Sequence, residues 1–184
     1  ERNSKVTVIG CGEVGRSSIH KSIQIGASVT AIDLDENILS ELKNKYGENI
    51  STHISGSDEA IEAIRSADLV VGAVLLPGRK PPIVITQDDI EQMEKGSVIV
   101  DVAIDQGGCV EGVTANTHSE PFEIRNGVII SAIANLPGAV PKTSSIELST
   151  NMQKYVDNLL IDNWFSEYSK NENLKPSLQI HNGL

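Results

Sequence analysis

The stretch VTVIGCGEVG, residues 6–15, decides how the fold begins. Its first four residues are β-branched and predict a buried strand, and its last residues begin the amphipathic pattern of a helix. Between them the glycines have the spacing GxGxxG. In such a unit the first glycine permits a tight turn, the second lets the backbone approach a pyrophosphate, and the third lets the helix pack closely on the sheet. The predicted residues of this phosphate loop are Gly10, Gly12, Glu13, Val14 and Gly15.

Outward from this stretch, short β-branched runs alternate with helical patterns, which is typical of βαβ units around a parallel sheet. Because crossovers between parallel strands are right-handed, such units wind onto both faces of the sheet. The sequence therefore predicts an α/β fold, a doubly wound parallel sheet of the Rossmann type, with ligands at the carboxyl ends of its strands. The predicted strands are residues 6–9, 29–32, 50–54, 69–74, 97–104 and 128–133, and the predicted helices are residues 14–24, 37–45 and 58–65, with another starting at Thr86.

Two segments interrupt or end this alternation. Residues 106–126 form a polar excursion between the last two predicted strands, long enough to be functional or mobile. Ser144 and Glu147 predict the capping box of a final long helix. The residues that then share one helix face, as if packed on a core, are Leu148, Met152, Tyr155 and Leu159. We expect one domain over residues 1–164, followed by a tail over residues 165–184.

The composition disfavours several classes of partner. The 184 residues carry a formal net charge of −10 with only two Phe, one Trp and three Tyr, so the clustered cations and stacking platforms that bind nucleic acid are lacking. The acidity disfavours an anionic membrane surface, and no apolar run approaches the roughly 20 residues that span a bilayer. The four histidines lack metal-ligand spacing and the two cysteines suggest no disulfide framework. We expect no bound metal and a reducing, cytoplasmic location.

An acid follows the second predicted strand, where dinucleotide-binding domains need one. Asp33 stands about 20 residues beyond the glycine loop, where a carboxylate accepts hydrogen bonds from the adenine-ribose hydroxyls. Together with Asp35 and Glu36 it would repel a 2′-phosphate, so the predicted cofactor is NAD rather than NADP. The alternative to this interpretation is a glycine turn that binds no ligand.

Three blocks of sequence resemble one family. LLPGRKPPIVIT (residues 75–86), GSVIVDVAIDQGGCVEG (96–112) and IANLPGAVPKTSS (133–145) look like the NAD-binding domain of alanine dehydrogenase, and the likeness covers about residues 5–160. The resemblance implies a homo-oligomeric enzyme that deaminates L-alanine oxidatively to pyruvate and ammonia, with hydride transfer to NAD. In the family the substrate is held by a preceding domain. The resemblance therefore implies that residues 1–164 are the NAD-binding domain and that residues 165–184 lead back toward a substrate domain absent from this chain. We expect this chain alone to bind NAD without oxidising alanine.

The resemblance also implies roles for residues of this chain. Asp105, in the AIDQGG block, would lie beside the nicotinamide and take part in catalysis, since a carboxylate there can hold the substrate amine and assist proton movement. Asn135 would contact the nicotinamide-ribose side of the cofactor, and Ser55 the adenosine. An ordinary turn is the alternative for both Asp105 and Asn135. The other residues expected to line the cofactor cleft are Val74, Leu75, Val102, Ala103, Ile104, Ile133, Ala134 and Leu136.

The chain departs from the family pattern in three places. Ile38 stands where a basic residue often follows the ribose-binding acid, Thr114 stands where an arginine is common, and Glu13 places an acid close to the pyrophosphate. Two further residues receive structural interpretations. Asp101, in mid-strand among apolar neighbours, reads as a hydrogen-bonded structural acid, and Cys109 as a small packing residue.

Two other functions remain open on the sequence. One is an NAD-binding regulatory domain of the kind that gates potassium channels, since GCGEVGRS and AIDLDE fit such domains nearly as well. The other is the NAD-binding component of a proton-translocating transhydrogenase. The first has no evident need for AIDQGG followed by ANLPGAVP, and the second would be expected to carry an amide in place of Asp105.

Overall fold

A computed structural model describes residues 4–159 and 164–170 of the chain. The strands within these residues are β1 (Lys5–Ile9), β2 (Ser28–Asp33), β3 (Ile50–Ile54), β4 (Leu69–Gly72), β5 (Val98–Asp101), β6 (Glu123–Arg125) and β7 (Val128–Ser131). They form one sheet in the order β3-β2-β1-β4-β5-β7-β6. All neighbouring strands pair in parallel except β6, which runs antiparallel to β7 at the edge. The predicted doubly wound, mostly parallel sheet is confirmed.

The helices are α1 (Glu13–Gln24), α2 (Glu36–Tyr46), α3 (Asp58–Arg65), α4 (Gln87–Gln92), α5 (Pro141–Leu159) and α6 (Trp164–Lys170). Of these, α1 to α4 pack against the two faces of the sheet and bury its apolar side chains in two clusters. One cluster joins Val8 of β1 to Leu39 of α2, with α1 beside them. The other joins Ile9 of β1 to Ile64 of α3 and Ile90 of α4. Successive side chains of a strand point to opposite faces of the sheet, so the apolar residues of a single strand such as β1 contribute to both clusters.

Three strands end earlier than their apolar runs predict. The strands were expected to continue to residues 74, 104 and 133, but β4 ends at Gly72, β5 at Asp101 and β7 at Ser131. One residue beyond β4 and β5, the N–H groups of Ala73 and Val102 still donate to the carbonyl oxygens of Ile9 (2.8 Å) and Gly72 (2.9 Å) in neighbouring strands. The next N–H in the loop after β5, that of Ala103, donates instead to the side chain of Asp101 (3.0 Å). The apolar residues predicted in mid-strand therefore lie in the loops at the carboxyl edge, because hydrophobicity does not report where ladder hydrogen bonds stop.

The polar excursion over residues 106–126 contains a strand that the sequence analysis missed. β6 pairs with β7 through a two-residue turn at Asn126 and Gly127, which have φ of 50° and 84°. Asn-Gly is a strong hairpin signal because both turn residues need positive φ. Arg125 anchors the hairpin by donating to the carbonyl oxygens of Glu111 (3.0 Å) and Gly112 (2.6 Å).

The final long helix begins at Pro141, so the predicted capping box at Ser144 is wrong. The N–H of Ser144 already donates to the carbonyl oxygen of Val140 (3.0 Å), which places Ser144 inside the first turn. Proline suits the first position of a helix because its missing N–H would have no partner there. The predicted packing of Leu148 and Met152 on a core is also wrong, since their side chains are 62% and 50% exposed.

The chain divides by its own contacts into two compact units, Glu1–Leu136 and Pro137–Leu184. The first contains the whole sheet, and the second contains α5 and α6. Helix α6 occupies the beginning of the segment that was expected to be a polar tail. The rest of that segment, residues 171–184, lies outside the described residues.

Helix α4 has the N-terminus that the sequence predicts. The hydroxyl of Thr86 accepts the N–H of Asp89 (3.2 Å), and the carboxylate of Asp89 accepts the N–H of Thr86 (3.0 Å). Arg65 of α3 donates to the same carboxylate (2.9 Å). Burial alone would raise the pKa of Asp89, but the hydrogen bonds from Thr86 and Arg65 outweigh it and hold the pKa below its ordinary value.

We expect Asp89→Asn to lower the free energy of unfolding at pH 7 by about 2 kcal/mol, because charged hydrogen bonds to a buried group are lost. A carboxyl with a lowered folded-state pKa stabilises the fold fully above pH about 4, and this contribution disappears as the pH falls below that range. Urea unfolding of wild type and variant at pH 7 and pH 3 checks this. An equal difference at both pH values would contradict the assignment.

Candidate functional site

The glycine loop leaves an open space in front of α1. The N–H of Gly10 donates to the carbonyl oxygen of Ile32 (2.9 Å), which ties the loop to β2. Gly12 is the residue that precedes α1, and no side chain of the described residues caps the helix there. A Cβ added at Gly12 would meet nothing within 4 Å. The first N–H groups of α1 therefore face open space, which fits a pyrophosphate bound at a helix N-terminus.

Asp33, at the end of β2, holds the glycine loop. Its Oδ2 accepts the N–H of Cys11 (2.6 Å) and its Oδ1 accepts the N–H of Asp35 (3.0 Å). A carboxylate offers about four lone-pair positions, so it can still accept hydroxyl groups. The N–H of Ser55 donates to the carbonyl oxygen of Asp33 (2.9 Å), so the structure brings these two predicted residues together.

The two cysteines at the carboxyl edge are buried thiols. Burial, with a contribution from the neighbouring Asp33, raises the pKa of Cys11 to about 12. Burial and the adjacent Asp101 likewise raise the pKa of Cys109. Nucleophilic attack requires the thiolate, so neither residue is suited to it near neutral pH. This agrees with the interpretation of Cys109 as a packing residue.

Asp105 and Asn135 meet on the other half of the carboxyl edge, although 30 residues separate them. The N–H of Asn135 donates to both carboxylate oxygens of Asp105, at 3.0 Å and 3.3 Å. Both residues are exposed, and Asn135 has a φ of 54°, a conformation that asparagine tolerates better than most residues. An exposed carboxylate held at one position can bind a cationic amine and take part in proton transfer.

Two residues that the sequence analysis did not assign contact the segment that carries Asn135. Both lie in the loop that follows Asp105. Asn116 binds the end of β7, since its Oδ1 accepts the N–H of Ala132 (2.8 Å) and its carbonyl oxygen accepts the N–H of Ala134 (3.2 Å). Nε2 of His118 lies 3.3 Å from the carbonyl oxygen of Asn135. Both lie in VTANTH (residues 113–118), which contains Thr114. The only signal in the sequence was that both side chains can form hydrogen bonds with the backbone.

The remaining predicted residues lie in loops that follow β4, β5 and β7. Ala103 and Ile104 are buried, whereas Val74, Val102, Ile133, Ala134 and Leu136 are half-buried and Leu75 is exposed. Of the positions that depart from the family pattern, Ile38 packs against the core and Thr114 is exposed. Together with the glycine loop and Asp33, these residues follow the strand ends from β2 to β7, at one edge of the parallel sheet.

The described residues contain neither a membrane-spanning helix nor a cluster of metal ligands. No helix there combines the length and apolar character that crossing a membrane requires. No three His, Cys, Asp or Glu side chains there come together in a way that could hold a metal ion.

Comparison with known proteins gives one consistent result. The family model described as "Alanine dehydrogenase/PNT, C-terminal domain" matches residues 1–184. The chain is 42% identical over 180 residues to an alanine dehydrogenase of Bacillus subtilis, covering 97% of this chain but 48% of that protein. It is also 39% identical over 180 residues to an alanine dehydrogenase of Mycolicibacterium smegmatis, covering 98% of this chain and 48% of that protein. The chain thus spans about half the length of the curated relatives it matches.

One solved structure shares both fold and sequence with the chain. It is titled L-alanine dehydrogenase and superposes with a TM-score of 0.80 at 40% identity, covering 85% of this chain and 43% of that one. The similarity therefore extends from the sequence to the fold.

Proposed function

The chain belongs to the alanine dehydrogenase/PNT C-terminal domain family, and from that premise we propose that it is the NAD-binding domain of an alanine dehydrogenase. Together with a substrate domain, it would take part in the oxidative deamination of L-alanine to pyruvate and ammonia. The proposal extends to a domain over residues 1–164, which rests on the sequence pattern, and to a homo-oligomeric enzyme, which the resemblance implies. It also includes a cytoplasmic location, which rests on the lack of a disulfide framework.

One observation carries the proposal: the backbone N–H of Asn135 donates to the carboxylate of Asp105. These residues come from the AIDQGG and ANLPGAVP blocks, which a regulatory nucleotide-binding domain has no evident need to combine. Their contact gives the carboxyl edge a fixed negative charge beside β5 and β7. The glycine loop and Asp33 occupy the other half of the same edge, as a dinucleotide that crosses the sheet requires.

The cofactor would be held by three features of the described residues. The space in front of Gly12 and the free N–H groups of α1 suit the pyrophosphate. The carboxylate of Asp33 suits the adenine-ribose hydroxyls. The loops that carry Val74, Ala103 and Asn135 suit the nicotinamide half. When bound, NAD would accept a hydride from the α-carbon of the substrate.

Asp105 has the chemistry that the amine end of the reaction needs. Its carboxylate is exposed and both of its oxygens are oriented by a single N–H, which leaves further lone pairs on each oxygen. It can therefore accept the hydrogen bonds of a substrate ammonium group. Before the α-carbon can give up its hydride, the ammonium group must release one proton, which solvent can take up. Loss of the hydride then leaves a cationic iminium, which the negative charge of Asp105 stabilises. The carboxylate can then accept a proton when water attacks that carbon.

A second candidate is the NAD-binding component of a transhydrogenase. A solved structure titled as the transhydrogenase from Sinorhizobium meliloti superposes with a TM-score of 0.75 at 25% identity, covering 85% of this chain and 45% of that one. The acid at position 105 argues against this candidate, since an amide is expected there in a transhydrogenase. We therefore favour the dehydrogenase.

Titration of the 184-residue chain with NAD and NADP tests the proposal. We expect NAD to bind at least about tenfold more tightly, because the carboxylate of Asp33 accepts ribose hydroxyls and repels a 2′-phosphate. Asp33→Asn should weaken NAD binding by about tenfold and narrow the difference between the dinucleotides. Calorimetry at one fixed ionic strength measures the dissociation constants of NAD and NADP.

Asp35→Asn is the matched control for this titration. Asp35 is an exposed acid two residues away whose side chain accepts the N–H of Asn37 (2.8 Å) at the start of α2. Asparagine retains this cap, so NAD affinity should stay near the wild-type value. Equal affinity of the wild-type chain for NAD and NADP, or an absence of binding to both, would contradict the proposed cofactor.

A further inference from the structure

Asp101, the last residue of β5, is a buried carboxylate surrounded by donors from one loop. Its side chain is completely inaccessible to solvent. Oδ1 accepts the N–H of Ala103 (3.0 Å), and Oδ2 accepts the N–H groups of Cys109 (2.9 Å) and Val110 (3.2 Å). The thiol of Cys109 also donates to Oδ1 (3.4 Å). Hydrogen bonds from backbone N–H groups to an ionised carboxylate are stronger than neutral ones, so this cluster is a firm attachment.

The donors come from the two ends of the loop over residues 102–110. Ala103 lies at its beginning, and Cys109 and Val110 lie at its end, so one carboxylate draws the ends together. Asp105 stands between these attachments. Within the loop, the N–H of Gly107 donates to the carbonyl oxygen of Ile104 (2.9 Å), which tightens the turn around Asp105.

Packing around Asp101 leaves the loop little freedom to move. A Cβ added at Gly108 would lie 2.9 Å from Oδ2 of Asp101. A Cβ added at Gly72 of the neighbouring strand would lie 2.5 Å from Sγ of Cys109. Both distances are shorter than van der Waals contact, so the backbone, the thiol and the carboxylate leave no room for an added methyl group.

We propose that Asp101 is a positioning residue for Asp105: its carboxylate holds the loop over residues 102–110 in the conformation in which Asp105 accepts the N–H of Asn135. Asp101 does not itself reach the exposed edge, so it acts through the loop. The effect on NAD binding rests on the proposed function, whereas the effect on the contact between Asp105 and Asn135 does not.

Asp101→Asn is the direct test, because it preserves size while removing the charge and half of the acceptors. The amide of asparagine would face N–H groups that need an acceptor, and the loop must rearrange. The first readout is the 15N–1H signal of Asn135 in the labelled, ligand-free chain. Asp105→Asn serves as the reference for a lost carboxylate contact, and we expect Asp101→Asn to move the Asn135 signal in the same direction.

Asp89→Asn is the matched control, since Asp89 is also a buried carboxylate but caps α4 on another part of the fold. It should lower the free energy of unfolding and leave the Asn135 signal unchanged.

The second readout compares the binding of NAD with that of AMP, which carries only the adenosine end of the dinucleotide. For Asp101→Asn we expect the Kd of NAD to rise about tenfold and the Kd of AMP to stay within about twofold of wild type.

Each outcome of these measurements is decisive. An Asn135 signal that stays at its wild-type position in Asp101→Asn, or that moves equally in Asp89→Asn, would overturn the proposal. If the NMR prediction holds while wild type binds neither NAD nor AMP, the positioning role stands and the proposed function fails.

If Asp101→Asn does not fold, Gly108→Ala takes its place, because its Cβ would press on Oδ2 of Asp101 and displace the same loop. An unmoved Asn135 signal in that variant would equally refute the role.

Discussion

Gly15→Ala is expected to lower the free energy of unfolding by roughly 3 kcal/mol or more and to abolish NAD binding. A Cβ at Gly15 would overlap the carbonyl oxygen of Gly10, so α1 could no longer pack directly against the phosphate loop. The obstacle is backbone rather than a flexible side chain, and relief would require the helix and the loop to separate. Urea unfolding of wild type and variant measures the change in stability, and calorimetry measures the loss of binding.

Gly26→Ala provides a control for glycine replacement as such. Gly26 follows α1, and a Cβ there would meet nothing within 4 Å, although its φ of 85° strains any other residue. The Gly26→Ala variant should lower the free energy of unfolding by only about 1 kcal/mol, through backbone strain, and leave NAD affinity unchanged. A Gly15→Ala chain that unfolds at the wild-type urea concentration would show that the close contact between α1 and the loop does not support the fold.

Gly12→Ala is expected to retain the fold but lose binding. Its free energy of unfolding should stay within about 1 kcal/mol of wild type, whereas its NAD affinity should weaken about 100-fold. Apart from Gly12 and its neighbours in the chain, no atom of the described residues lies within 4 Å of the position that the new Cβ would take, and Gly12 has an ordinary φ of −71°. The folded chain can therefore accommodate alanine. The methyl group would, however, occupy the space where the backbone must approach the pyrophosphate.

The pair of glycine variants separates folding from binding within one loop. Calorimetric titration of the folded Gly12→Ala chain with NAD is the measurement, and its urea unfolding curve shows that the fold is retained. Wild-type affinity for NAD in Gly12→Ala would mean that the dinucleotide does not cross this loop, and the proposed location of the pyrophosphate would then be wrong. A smaller ligand such as adenosine, which carries no phosphate, should bind Gly12→Ala and wild type equally.

Features encoded within a short stretch were predicted well. The sheet and its glycine loop follow from β1 and the residues immediately after it, and the cap of α4 follows from Thr86 and Asp89, three positions apart. In each case the interacting groups are neighbours in sequence, so propensity and spacing describe them. The hairpin at Asn126 and Gly127 belongs to this class, and its signal was present but unused.

Features that depend on distant partners were predicted poorly. Strand ends were placed too late because apolar side chains continue past the last ladder hydrogen bond. Asp101 was recognised as a hydrogen-bonded acid, yet its partners at Cys109 and Val110 could not be foreseen. Nothing in the sequence alone joins Asn116 to the end of β7 or His118 to Asn135, because these contacts form only when separate loops reach the same edge.

By itself the sequence determined that this chain forms a doubly wound sheet, and where its glycine loop and the acid after β2 stand, because those properties arise from residues close together along the chain. Only the tertiary structure decided that Asp105 meets the backbone of Asn135 and that Asp101 accepts hydrogen bonds from both ends of the loop that carries Asp105. The physical reason is that parallel strands bring their carboxyl ends to one edge, where loops far apart in sequence satisfy each other's buried and charged groups.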